Sequence, residues 1–163
     1  MSQTKYKLPD DIKQQCLALV KGYKRRVELQ RQRRDEILYS SHTFKAEPYV
    51  VIKEGKQVVL GTVLPRGNSS VDATYSKAQQ LDALEHSANA KSLWAVDQAR
   101  LTVGYNITDD IIRGKLEKAI WLNCISGRAY PYTIHDLPTI GRDLFYEYKR
   151  AFLYQIAINM EYL

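Results

Sequence analysis

Cysteine is scarce in this chain of 163 residues, which contains only Cys16 and Cys124. Two cysteines so far apart in sequence form neither the disulfide framework of a small secreted domain nor a cluster of zinc ligands. No apolar run approaches the roughly 20 residues that a membrane-spanning helix needs, and the opening residues do not resemble a secretory signal peptide. We therefore expect a protein of the reducing cytoplasm, with no membrane partner.

Catalytic and cofactor-binding motifs are also lacking. His42, His86 and His135 are scattered, and none has a Cys or His neighbour at metal-ligand spacing. No glycine-rich stretch is followed by the Lys-Ser/Thr pair of a phosphate loop, and no serine lies in a nucleophile elbow. We therefore predict that the protein is not an enzyme and that it holds no cofactor and no metal.

Positive charge, by contrast, is abundant and unevenly distributed. The formal net charge is +6, and residues 1–39 contain ten Lys or Arg against five Asp or Glu. Such a density can neutralise the phosphates of a nucleic acid, but a solvated helix face explains it equally well. The candidate nucleic-acid-binding residues in this region are Lys24, Arg25, Arg26, Arg33 and Arg34.

Hydrophobic periodicity predicts a mainly α fold. Apolar residues at helical spacing predict one basic helix of about 27 residues from Pro9 to Leu38, in which Gly22 is a weak point. Two β-branched runs around a Gly-containing turn predict a hairpin at 48–61. Further helices are expected over 72–84, over 89–103, from the Thr108 cap to Gly127, and from about Arg142 to the last residues.

These elements define the expected organisation of the chain. We predict a long basic N-terminal helix over 1–39, a β-hairpin and loop insertion over 40–70, and a helical domain over 71–163. The fold class is thus a helical bundle with a C-terminal helix-turn-helix and one inserted β-hairpin. Within the bundle, Trp94 and Trp121 are expected to be core anchors and Leu101 to face inward.

The order of elements in residues 108–163 matches a helix-turn-helix. A capped helix is followed by a short helical segment at 133–137, by a turn from Pro138 to Gly141, and by a long amphipathic helix. Such a unit aims the polar side chains at the start of its second helix into the major groove. A C-terminal helix that merely packs on a bundle would show the same pattern, and Asp143 and Glu147 would oppose phosphate.

The segment from about Glu117 to Leu163 resembles the end of the ArpU/RinA-type phage regulators, whose C-terminal part is similar to region 4 of sigma factors. An aromatic pair, a basic pair and a Phe-Leu pair carry the resemblance, here Phe145-Tyr146, Lys149-Arg150 and Phe152-Leu153. It covers the last third of the chain and, more loosely, the first helix, whereas the hairpin departs from it. The resemblance implies a phage- or prophage-encoded, sequence-specific transcriptional regulator in a bacterial host cell, often an activator of late genes.

The resemblance also implies roles for individual residues. Thr139 and Arg142 would contact phosphate or base at the start of the recognition helix, Tyr146 and Arg150 would point into the groove, and Lys149 would reach a flanking phosphate. Phe145, Phe152 and Leu153 would belong to the core. The candidate DNA-binding residues at this end are Thr139, Arg142, Asp143, Tyr146, Lys149 and Arg150.

Three interpretations of the function remain open at this point. The first is a regulator that binds double-stranded DNA as a homodimer paired through the N-terminal helix, with RNA polymerase as a further candidate partner. The second is a phage packaging or assembly protein, in its most plausible form a small-terminase-like DNA-recognition subunit. The third is an RNA-binding or polymerase-binding protein that uses the Arg-rich helix.

Overall fold

The computed structural model describes residues 5–40, 47–53, 56–63, 69–129, 137 and 140–163, and it describes side chains outside 47–72. The chain divides into two compact units. One consists of Met1–Gln30 with Ser87–Leu163, and the other of Arg31–His86.

The N-terminal basic region forms two helices where one was expected. Helix α1 spans Asp10–Lys21 and helix α2 spans Tyr23–Tyr39, with Gly22 between them. Asp10 and Asp11 in the first turn of α1 complement the helix dipole. The low helix propensity of glycine accounts for the break at Gly22.

The fold-class prediction needs a correction at its hairpin. Where side chains are described, the chain forms helices and no strand, so the helical bundle does not contain the inserted β-hairpin. The two antiparallel strands of the chain, β1 (Glu47–Lys53) and β2 (Lys56–Val63), belong to the unit Arg31–His86. The β-branched runs favour extended backbone locally, but the core of the bundle is built from helical side chains. Helix α3, Ser69–Glu85, completes the second unit.

Capping residues define the next two helices of the bundle. Helix α4 spans Ala88–Thr102, and the Ser87 side chain accepts a hydrogen bond from the backbone N–H of Ala90. Helix α5 spans Asp110–Ser126, and the Asp109 carboxylate accepts from the N–H groups of Ile111 and Ile112. Gly127 ends α5 in the left-handed conformation, with φ of 66°. A cap was expected in the Thr108-Asp-Asp segment and a stop at Gly127; the capping residue is Asp109, and the stop lies at Gly127 as predicted.

Helix α6 (Arg142–Asn159) lies at the centre of the bundle. It contacts α1, α4 and α5, and its buried residues are Phe145, Phe152, Leu153, Ile156 and Ala157. The other helices contribute Cys16 and Val20 from α1, Val96 from α4 and Leu116 from α5 to the same core. The expectation that Phe145, Phe152 and Leu153 are core residues is confirmed.

Two predicted core positions on α4 lie at the surface instead. Leu101 is 75% exposed and Trp94 is 52% exposed, whereas Trp121 on α5 packs against the core. The reason is the phase of the helix, because Ala95, Val96 and Ala99 occupy the buried side of α4. Small residues on that side leave the large side chains of α4 outside.

Candidate nucleic-acid interface

The start of α6 packs against the core on one side and is exposed to solvent on the other. Leu137 and Ile140 are buried in the core just before the helix, and the N–H of Ile140 donates to the carbonyl of Leu137 at 3.2 Å. The first residues of α6, from Arg142 to Leu144, are exposed. The residues on either side of the first turn of α6 are thus packed in the core, while the turn itself is exposed to solvent. Thr139 and the predicted helical segment at 133–137, apart from Leu137, lie outside the described residues.

Arg142 and Asp143 are predicted DNA-binding residues that lie exposed in the first turn of α6. The guanidinium of Arg142 lies 5.9 Å from the centre of the Tyr146 ring, within the range of a cation–π contact. The Tyr146 ring in turn packs edge-on against Phe145 at 5.5 Å. Tyr146 is half-buried and packs against the core, so it supports Arg142 rather than projecting beyond it.

Lys149 points toward the interior of the bundle. Its Nζ donates to Oδ1 of Asn123 at 2.6 Å, and Asn123 is only 4% exposed. The Asn123 side chain also donates from Nδ2 to the carbonyl of Arg128 just beyond the end of α5. Lys149 therefore links α6 to α5, and its ammonium group is hydrogen-bonded to Asn123 on the side of α6 that faces the bundle.

Arg150 is exposed and lies beside the N-terminal segment of the chain. It lines a depression of about 130 Å³ together with Lys7 and Asp10 near the start of α1, and with Lys13. Sequence reasoning did not single out Lys7 and Lys13. The alternation of Lys5, Tyr6 and Lys7 was the one feature of the sequence that could have indicated a binding role for this segment. Its position beside α6 depends on tertiary contacts.

The basic residues of α2 differ from one another in their surroundings. Lys24, Arg25, Arg33 and Arg34 are exposed. Arg26 is half-buried, and its Nη1 donates to the carbonyl of Leu19 at 3.3 Å and, more weakly, to that of Ala18 at 3.5 Å. Arg26 thus satisfies acceptors at the end of α1, which leaves the other four cations as candidates for contact with phosphate.

Polar contacts attach the first half of α2 to α4. The hydroxyl of Tyr23 donates to Oδ1 of Asp97 at 2.6 Å, and Nδ2 of Asn89 donates to the carbonyl of Arg26 at 3.1 Å. Burial, followed by the hydrogen bond to Asp97 and its negative charge, raises the pKa of Tyr23 to about 12. These bonds attach the first half of α2 to α4.

An aromatic and ionic cluster surrounds the same attachment. Tyr23 packs edge-on against Trp121 at 5.2 Å, and the guanidinium of Arg100 lies 4.7 Å from the Trp121 ring. Arg100 also makes two contacts of 2.7 Å with the Glu117 carboxylate, through Nε and Nη2. Arg100 therefore links α4 to α5 through Glu117. By its charge alone, Arg100 would have been a candidate for contact with a phosphate.

Among the residues that the structure describes, no group of three His, Cys, Asp or Glu side chains could hold a metal ion. Burial raises the pKa of both Cys16 and Cys124 to about 11, which keeps these thiols protonated near neutral pH. None of the described helices combines the length and the apolar character needed to cross a membrane.

Comparisons of the chain with protein-family models, with curated proteins and with solved structures find no match.

Proposed function

We propose that the protein is a sequence-specific, duplex-DNA-binding transcriptional regulator that reads DNA with the beginning of α6. The resemblance to ArpU/RinA-type regulators adds to this proposal a phage or prophage origin, a bacterial cytoplasmic location and an activating effect. A homodimer and contact with RNA polymerase belong to the same proposal.

One observation carries the proposal more than any other, namely the exposed first turn of a helix whose remaining length is anchored in the core. Leu137 and Ile140 are buried immediately before this turn, and Phe145 is buried immediately after it. A groove-reading helix needs such support, because the side chains at its beginning must hold their position against the base edges. Arg142 is the cation that this geometry presents, and a guanidinium suits the O6 and N7 acceptors of guanine.

The exposed cations of α2 support a second, non-specific contribution. Lys24 and Arg25 lie in the first part of the helix, which Tyr23 and Asn89 tie to α4. Cations of this kind attract the phosphate backbone regardless of sequence and make the affinity strongly salt-dependent. In the proposed function, α2 supplies affinity and the start of α6 supplies specificity.

The proposal is tested by selecting bound duplexes from a random DNA library with the intact chain and with Arg142→Gln. We expect the intact chain to enrich one motif. The variant should relax the preference at one base pair of that motif, at a cost of about 1–3 kcal/mol for a lost bidentate base contact. Deleting α6 would be uninformative, because it would also remove much of the core.

Lys118→Gln is the matched control, since it removes one positive charge from an exposed position on α5. We expect this variant to enrich the same motif as the intact chain. If the intact chain binds duplexes at low salt without enriching any sequence, the proposal of a sequence-specific regulator is contradicted.

One observation favours an assembly protein as a second candidate. Leu101 on α4 and Ile111 on α5 are 75% and 72% exposed, and large exposed apolar side chains are typical of surfaces that bind another protein. A ring-shaped oligomer in solution would favour a packaging or assembly subunit, whereas a monomer or dimer would favour the regulator.

A further inference from the structure

The N-terminal segment before α1 packs against α6. The ring of Tyr6 meets the ring of Tyr154 edge-on at 5.6 Å, and Leu8 packs against the hydrophobic core. These two contacts hold the residue between them, Lys7, close to the middle of α6. The segment therefore adds side chains to the surface of the helix that we propose reads DNA.

Three cations from three separate parts of the chain meet at this place. Lys7 from the N-terminal segment, Lys13 from α1 and Arg150 from α6 line the same depression of about 130 Å³. Leu153, which is buried, and Leu8 form its apolar base, and the cations are exposed around it. Asp10 also lines the depression, so three positive charges face one negative charge and the site remains cationic.

The position of the depression along α6 indicates what kind of DNA group it would meet. Arg150 lies eight residues, and therefore about 12 Å, beyond Arg142 along the helix axis. The major groove is also about 12 Å wide, and it is the first residues of a recognition helix that contact the base edges. A side chain two turns further along, beside a separate basic segment, is placed to meet the edge of the groove, where the phosphates lie.

We infer that Lys7, Lys13 and Arg150 form a binding site for a backbone phosphate of duplex DNA. The inference rests on the proposed function and refines it, because it assigns Arg150 to phosphate instead of to a base edge. The depression is of a size for one phosphate group and not for a base pair, and its excess of positive charge matches that ligand. Contacts of this type fix the register of a protein on the duplex without reading its sequence.

The test is a salt titration of binding to two duplexes, the selected motif and a scrambled one, by the full chain and its variants. We expect Lys7→Gln together with Lys13→Gln, and separately Arg150→Gln, to weaken binding to both duplexes alike. Each variant should lose about 5- to 10-fold in affinity at 0.1 M salt, and its salt slope should fall by at most about 0.9, because the three cations share one phosphate. Lys118→Gln, on α5, should leave the motif affinity within about twofold and the slope unchanged.

Arg150→Lys separates a phosphate contact from a base contact. A phosphate accepts either cation, so this variant should keep the slope and the motif, whereas a bidentate contact to guanine requires arginine. Relaxed preference at one base pair in Arg150→Lys would overturn the assignment. So would an unchanged slope in the Lys7 and Lys13 variant, or tighter binding of duplex RNA than of duplex DNA.

Failure of the site and failure of the proposed function give different results in this experiment. If the wild-type chain binds the motif and the Lys7 and Lys13 variant binds it equally well, only the phosphate site is refuted. If the wild-type chain binds no duplex at any salt concentration, the proposed function is refuted and the site with it. The substituted side chains are exposed, so thermal unfolding of each variant should match the wild type.

Discussion

Helices α6 and α2 both carry candidate DNA-binding cations, but they are held in the protein by different forces. Helix α6 buries five side chains in the core of the bundle. In α2, which is described over its whole length, no residue is buried, and its first half is attached to α4 by hydrogen bonds from Tyr23 and Asn89. Helix α6 is thus held by packing in the core, whereas the first half of α2 is attached by polar bonds and by the contact of Tyr23 with Trp121.

The difference shows which cations can serve a ligand. On α6, Lys149 donates a hydrogen bond to Asn123, whereas Arg142 and Arg150 are exposed. On α2, Arg26 turns back to the end of α1, and the other cations stay exposed. The number of basic residues in a helix therefore does not give the number of cations available to a ligand. The contacts in the folded structure decide which cations are available.

The largest effect that tests this comparison is loss of packing in α6. Phe152 is 2% exposed, so Phe152→Ala should lower the free energy of unfolding by about 3–5 kcal/mol through lost apolar burial and a residual cavity. Val27→Ala on α2, where Val27 is 40% exposed, should change it by less than about 0.5 kcal/mol. Urea titration followed by circular dichroism measures both, and similar losses in the two variants would contradict the comparison.

An intermediate effect is expected at the attachment of α2. Tyr23→Phe removes the hydrogen bond to the Asp97 carboxylate, which should cost about 1–2 kcal/mol. The pKa of Tyr23 is raised from the ordinary value of 10.0 to about 12 in the folded protein. Folding therefore favours the protonated phenol, and this contribution is full below pH 10 and is lost as the pH rises toward 12.

The corresponding measurement is urea unfolding of the wild type and of Tyr23→Phe at neutral pH and at several values between pH 10 and 12. We expect the difference between the two proteins to shrink over that interval. Tyr105→Phe is the control, because Tyr105 is 75% exposed. A difference that stays constant up to pH 12 would show that the phenol of Tyr23 does not link α2 to α4.

The smallest effect on stability is expected from the exposed cations of α2. Arg33→Gln with Arg34→Gln should change the free energy of unfolding by less than about 0.5 kcal/mol, since both side chains are exposed. The same variant should weaken binding to all duplexes alike and reduce the salt slope by about 2. If it instead alters the preferred motif, α2 reads bases, and the division of roles between α2 and α6 is wrong.

Much of the helical architecture could be predicted from local signals. Asp109 caps α5 and Gly127 ends it, as the residue types at these positions predict. The apolar spacing of α6 predicted Phe145, Phe152 and Leu153 as core residues, which the structure confirms. Each of these predictions depends on chemistry within a single helix and its flanking residues.

Predictions that required a partner element were less successful. Leu101 was assigned to the core by its helical spacing and Trp94 by its apolar neighbours, whereas the small residues Ala95 and Ala99 lie on the buried side of α4. The hairpin was assigned to the bundle, whereas its strands lie in the other compact unit. Apolar character indicates that a residue can be buried, but the competing residues on other elements decide whether it is.

The sequence by itself determined the end of α5 and where positive charge is dense, because capping and charge are properties of neighbouring residues. Only the tertiary structure decided which cations remain available, since Arg26, Arg100 and Lys149 bind acceptors elsewhere in the fold. It also brought Lys7 and Lys13 next to Arg150. No local sequence pattern predicts this proximity, because it depends on how the N-terminal segment and α1 pack against a helix that begins about 120 residues beyond the end of α1.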